Sequence, residues 1–204
     1  MDAGVKVKVN LKRVLAKVQK PSKKLQVKAF RKAELRFKEA KEKMIEDFEN
    51  HVVTKEIKDG PDAANSSHTL GGYGNLYSYI GFAGSDPTEI VSTFLKTNVK
   101  IENKPKIKKL KSAVEYTFNI KSVDMSMLEA MTPMPWETGR SWLRGIERGI
   151  SGFSSYMHGK GGGRSGGGFQ TRSPIRSGGF KNTKYMSEIL KNFKKNLKVK
   201  KGTK

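Results

Sequence analysis

The chain has 204 residues, 35% of them apolar, with 41 Lys and Arg against 19 Asp and Glu, a net charge of +22, and no cysteine. That length allows one cored domain with appendages, and the low apolar share points to a modest core. Disulfides and thiolate metal sites are excluded, and the charge points to polyanionic partners such as nucleic acid, anionic membrane or an acidic protein.

The charge is uneven: residues 1–60 carry a net +8, residues 61–159 a net +2 and residues 160–204 a net +12. A near-neutral middle between basic ends suggests a central core with polyanion contacts at the termini. Asp2 is followed by no apolar stretch, so a secretory leader is not expected. No run of about 18 apolar residues is present, so no membrane span is expected either.

Val5, Val7 and Val9 alternate with Lys6 and Lys8, which predicts a short half-buried strand. Leu11, Val14, Leu15 and Val18 then fall at helical spacing, closed by Pro21. Ser22 is placed to cap a long helix reaching about Asn50, with Phe30, Ala33, Phe37, Ala40, Met44 and Phe48 on one face. Turn formers dominate 51–74, from Asp59-Gly60-Pro61 through Asn65-Ser66-Ser67 to Gly71-Gly72, which predicts a long loop. The β-formers of 75–82 (NLYSYIGF) predict a strand.

Asp86-Pro87-Thr88-Glu89 opens a helix expected to run to about Thr97, burying Ile90, Val91, Phe94 and Leu95. Val99 and Ile101 suggest a short strand before the basic run 104–111 (KPKIKKLK). Val114, Tyr116, Phe118 and Ile120 alternate with polar residues, the clearest strand pattern in the chain. A methionine-rich helical turn follows at 125–131, equally consistent with an adaptable contact surface and with core filling.

Thr138 is placed to cap a helix over 139–149, with Trp142, Ile146 and Ile150 on one face and Arg140, Arg144 and Arg148 as a ridge on another. Residues 150–157 and 169–172 read as strands of a hairpin with a glycine-rich tip over 159–168 that contains Lys160 and Arg164. Beyond Gly178-Gly179, a basic helix with Met186, Ile189, Phe193 and Leu197 inward ends in a lysine tail. The predicted architecture is α+β: a long N-terminal amphipathic helix packed on a small, mostly antiparallel sheet. Residues 1–177 form one domain, including the 51–74 loop and the 157–170 hairpin tip, and 178–204 form the basic helix and tail.

No catalytic pattern emerges. The glycine tip has Arg164 rather than Lys before Ser165, so it lacks the phosphate-loop pattern, and Gly72-x-Gly74 lacks the third glycine of a dinucleotide fingerprint. His51, His68 and His158 lie far apart, without metal-ligand spacing, and the middle of the chain groups no carboxylates for hydrolysis. Neither an enzyme nor a cofactor is expected. Candidate subunit or partner contacts are Arg140, Arg144, Arg148, Lys160, Arg164, Phe169 and Arg172. Candidate polyanion contacts are Lys191, Lys194, Lys195, Lys198, Lys200 and Lys201.

Pro135, Thr138, Gly139 and Arg140, followed by Ser141-Trp142-Leu143-Arg144, form a PxxTGR turn ahead of an apolar and arginine-bearing helix. With VTKEI, NSS and TLGGYGNLYSYIGF over 51–82 and the long basic helix before them, the stretch resembles the small neck or tail-completion proteins, tail-terminator-like, of tailed bacteriophages. The resemblance implies a non-enzymatic structural virion protein at the neck or top of the tail, assembled in the host cytoplasm. It further implies a homo-oligomeric ring, with neck, portal-side or tail-tube and sheath proteins as neighbours and DNA in the channel, and no membrane. The alternative from the charge alone is a sequence-nonspecific nucleic-acid-binding protein acting through basic termini.

Overall fold

In a computed structural model of the chain, the residues described are 5–12, 22–70, 74–110, 113–135, 137–148 and 183–198. They form a mixed α+β structure of seven helices and two small antiparallel sheets. The chain divides into two compact units, one of Met1–Glu46, Phe94–Val123 and Leu190–Lys204, the other of Asp47–Thr93 and Asp124–Ile189. The domain boundary expected at 177/178 lies outside the described residues, as do the hairpin strands 150–157 and 169–172 and the glycine tip.

The first unit is built on a four-stranded sheet in which the central strand β4 (Ala113–Lys121) pairs on one side with β1 (Val5–Lys12) and on the other with β2 (Lys100–Ile101) and β3 (Lys106–Lys109). Every pairing is antiparallel. Period-2 patterning fixes the register: Val7 lies opposite Phe118 and Val9 opposite Tyr116, all buried, while Lys6 and Lys8 lie opposite Asn119 and Thr117 on the other face. β1 continues through Leu11, opposite Val114, where helical spacing predicts a helix over 11–18. Pairing with the long β4 outweighs that local pattern, and residues 13–21 lie outside the described set.

Helix α1 (Lys23–Glu49) matches expectation at both ends and along its face from Ala33 on, with Ala29 fully buried and the expected Phe30 half-buried at its first turns. Ser22 caps it, its Oγ accepting the Leu25 N–H at 3.3 Å. Ala29, Ala33, Phe37, Ala40, Met44 and Phe48 are buried, steps of three or four that keep one stripe inward. Within the first unit, Phe30 meets Phe118 of the sheet with ring centroids 5.5 Å apart, and Phe37 meets Phe193 edge-on at 6.5 Å. Lys41 donates from Nζ to the carbonyls of Lys96 and Val99 at 2.6 and 2.9 Å, closing the C-terminal end of α4 (Glu89–Asn98) with a cation where the helix dipole is negative. Burial and the nearby Lys100 hold the Lys41 ammonium below its usual range.

In the second unit, 51–74 is not one long loop. α2 (Val52–Lys58) and a 3₁₀ turn at Gly60–Asp62 occupy its first half. His51, rather than a Ser, Thr or Asp, caps α2 through Nδ1, an unconventional cap that composition does not advertise. The strand expected over 75–82 is instead α3 (Leu76–Ile80). Asn75 Oδ1 accepts the Ser78 N–H at 2.9 Å and Gly81 ends the helix at φ 84°, so capping at both ends overrides the β-propensity of Tyr and Ile.

Candidate interaction surfaces

The stretch from α5 (Met125–Met131) through the β5–β6 hairpin (Pro133–Met134 and Glu137–Ser141) to α6 (Trp142–Arg148) carries the arginines singled out from sequence. The helix expected over 139–149 starts later. Thr138-Gly139-Arg140 belongs to β6, and Gly139 sits at φ 105°, which no α-helical residue adopts. Ser141, not Thr138, does the capping: its Oγ accepts the Arg144 N–H at 3.1 Å. The same hydroxyl bonds Thr132 Oγ1 at 2.7 Å, and the Thr132 carbonyl accepts the Trp142 N–H at 2.9 Å. Thr132 Oγ1 also donates to Leu128 O, so one buried Thr–Ser pair ties the end of α5 to the start of α6.

Trp142, Leu143 and Ile146 of α6 are buried, and Phe82 meets Trp142 edge-on at 5.7 Å. Arg140, Arg144 and Arg148 are exposed. Arg144 lies 4.0 Å from Glu129 with about half its side chain in solvent, so that pair contributes little. Met134 of the methionine group is buried and Met127 is 42% exposed, so the group divides between core and surface.

Sequence reading missed the residue beside this ridge. Glu147 Oε1 accepts the N–H groups of Tyr185 (3.0 Å) and Ser187 (2.7 Å), and its Oε2 accepts the Ser187 hydroxyl at 2.7 Å. A carboxylate thus caps the first turn of α7 (Met186–Leu197), meeting the orphan donors and the positive end of the dipole together. Tyr185, fully buried, stacks on Phe48, lies 4.6 Å from the His51 ring and hydrogen-bonds Thr54 through its hydroxyl. Burial drives the Tyr185 phenol far above its usual range.

A second bridging carboxylate, the buried Glu56, holds the segment after α2: Oε2 accepts the Ser67 N–H and Oε1 the Leu76 N–H, both at 2.8 Å. Asn75 Nδ2 adds bonds to the carbonyls of Pro61 and Ala63. The only hint of this in the sequence is a lone acid among apolar residues of VVTKEI.

Of the candidate polyanion contacts, Lys191, Lys194, Lys195 and Lys198 are exposed along and just past α7, while Ile189, Phe193 and Leu197 are buried as expected. Lys160, Arg164, Phe169, Arg172, Lys200 and Lys201 lie outside the described residues. Among the described residues no group of three or more His, Asp or Glu is placed to hold a metal ion, and no helix is long and apolar enough to cross a membrane. Comparison with protein-family models, curated proteins and solved structures gives no match.

Proposed function

We propose that the chain is a structural, non-enzymatic virion protein of a tailed phage, forming a homo-oligomeric ring at the neck or top of the tail. The observation that carries this reading is the joint at 132–148. It pins α6 to the core through Trp142, Leu143 and Ile146 and leaves Arg140, Arg144 and Arg148 on its surface. An anchored helix with outward arginines suits a partner-facing element, because a guanidinium on a fixed scaffold loses little freedom when it pairs with a neighbour's carboxylate. The PxxTGR stretch that carries the phage resemblance leads into this helix through β6. A net charge of +22 is tolerable beside DNA, whose phosphates neutralise it.

Imaging of the purified full-length chain by electron microscopy, alone and co-expressed with portal and tail-tube proteins, tests the reading. Closed rings, or particles with this chain between portal and tube, support it. A chain that stays monomeric and never enters such particles ends it.

A second reading is a sequence-nonspecific nucleic-acid-binding protein that acts through its basic ends. It is favoured by the exposure of Lys191, Lys194, Lys195 and Lys198 around one amphipathic helix.

A further inference from the structure

Strand register gathers lysines that are scattered in sequence onto one face of the first unit's sheet. Directly opposed residues of antiparallel strands point the same way. On β1, Lys6 and Lys8 oppose Asn119 and Thr117; on β3, Lys106 and Lys108 oppose Thr117 and Glu115. Lys8, Thr117 and Lys106 therefore form one row across three strands, spanning about 10 Å at the usual strand spacing. Lys121 and Lys100 oppose each other at the end of the face. All six lysines are exposed, and between them run the half-buried Glu115, Thr117 and Asn119 of β4. Among the described residues two carboxylates stand against them: Glu115, which lies 3.6 Å from Lys8, and Glu102, which accepts from Asn119 Nδ2 at 3.1 Å. The opposite side of β4 is core: Val114, Tyr116, Phe118 and Ile120.

We propose that this lysine-covered sheet face is a binding surface for the phosphate backbone of duplex DNA. Lysine, threonine and asparagine are donors to phosphate oxygens, contacts that position a duplex without reading its sequence. The strand residues of this face include no aromatic side chain and no arginine, the groups that stack on unpaired bases or fork onto guanine edges. A rigid, positively charged surface without stacking groups suits the outside of a duplex better than a single strand. The sequence hid it because the six lysines span residues 6 to 121 and only the β4 pairings bring them together. The inference stands apart from the ring reading, which concerns the arginine-bearing helix of the other unit.

Lysines on outer strands also keep sheets from pairing edge to edge, a role any charge fills. Glutamate at the same positions would preserve that role while repelling DNA.

The test measures binding of the full-length chain to a duplex of about 30 base pairs across 50–200 mM salt, the range in which counterion release is steep. The sheet variant replaces Lys6, Lys8, Lys106 and Lys108 by Gln, and a control replaces Lys191, Lys194, Lys195 and Lys198 likewise. A third variant carries Glu at the four sheet positions; unchanged circular dichroism and melting certify each fold. The expected result is a salt slope shallower by about 3 to 4 for the sheet variant, at about 0.9 for each phosphate no longer neutralised. Binding should be weaker still for the Glu variant, which stays soluble. Wild-type affinity and slope in the sheet variant, with weakened binding only in the α7 control, overturn the proposal. So does a sheet variant impaired only towards single strands of equal length, or only towards phosphatidylserine vesicles. Should a sheet variant fail to fold, the single changes Lys8→Gln and Lys106→Gln read the same slope in smaller steps. Rings retained by a sheet variant that no longer binds DNA would show the two readings to be separate.

Discussion

His51 does two jobs that depend on its being neutral. Its Nδ1 accepts the Val53 N–H at 3.3 Å, and its ring packs 4.6 Å from that of Tyr185. Burial lowers its pKa from the ordinary 6.5, with Glu188 and Glu147 pulling weakly the other way. A depressed histidine pKa means that the unfolded chain binds the proton first as pH falls, so stability drops from about pH 6.5 downward until the folded pKa is passed. Protonation also turns the capping acceptor into a donor. His51→Asn keeps a capping oxygen and removes the titration. Denaturant unfolding at pH 7.5, 6.5 and 5.5 should therefore show the wild type losing stability relative to this variant, whereas parallel curves would remove His51 as the cause. The neighbouring Tyr185 phenol, driven the opposite way by the same burial, stays protonated throughout.

Helix α7 depends on one side chain for its start. Its buried Met186, Ile189, Leu190, Phe193 and Leu197 give it an apolar stripe, but its first N–H groups are met by Glu147 rather than by a residue of its own. Glu147→Ala leaves two backbone donors and the Ser187 hydroxyl without their acceptor; water reaches the exposed Ser187 groups, so the loss is that of a helix cap, about 0.5–2 kcal/mol. Hydrogen exchange over 183–192 should speed up markedly in this variant, while exchange in β4 holds. Equal protection before and after would mean that the apolar stripe alone docks the helix. The joint at 132–148 differs in that Thr132 and Ser141 cap α5 and α6 from the adjoining positions, and the longer-range step is the bond between the two hydroxyls.

At the scale of the whole chain, 41 Lys and Arg face 19 Asp and Glu, so the basic groups outnumber every carboxylate that could pair with them and a net charge of +22 remains. The ion pairs Lys8–Glu115, Lys38–Glu42 and Arg144–Glu129 are 3.6 to 4.0 Å long, each with at least one well-exposed partner, so screening them loses little. Repulsion among lysines is the larger effect, and it fades as the screening length falls from about 30 Å at 0.01 M to about 8 Å at 0.15 M salt. The melting temperature should rise by several degrees over that range in calorimetry. A fall on adding salt would mean that attractive pairs, not repulsion, dominate the electrostatics.

The sequence by itself determined what period and composition encode locally: α1 with its Ser22 cap and buried stripe, the alternation of β4, the inward face of α7, and the basic excess. It placed the arginines of α6 on the surface and Trp142 in the core, because a seven-residue helix with three buried positions shows its face in its spacing. Only the tertiary structure decided the rest. Asn75 and Gly81 turned β-formers into a helix, Gly139 moved the start of α6 to Ser141, and pairing with β4 made Leu11 part of a strand. Glu56 and Glu147 became caps for segments up to 40 residues away, and six lysines became one face. For α3 and α6 the deciding residues are local caps and a positive φ, which outweigh side-chain β-propensity or helical spacing. For β1, the two glutamate caps and the lysine face, the partners that satisfy the backbone or set the register lie far off in sequence, where no local pattern records them.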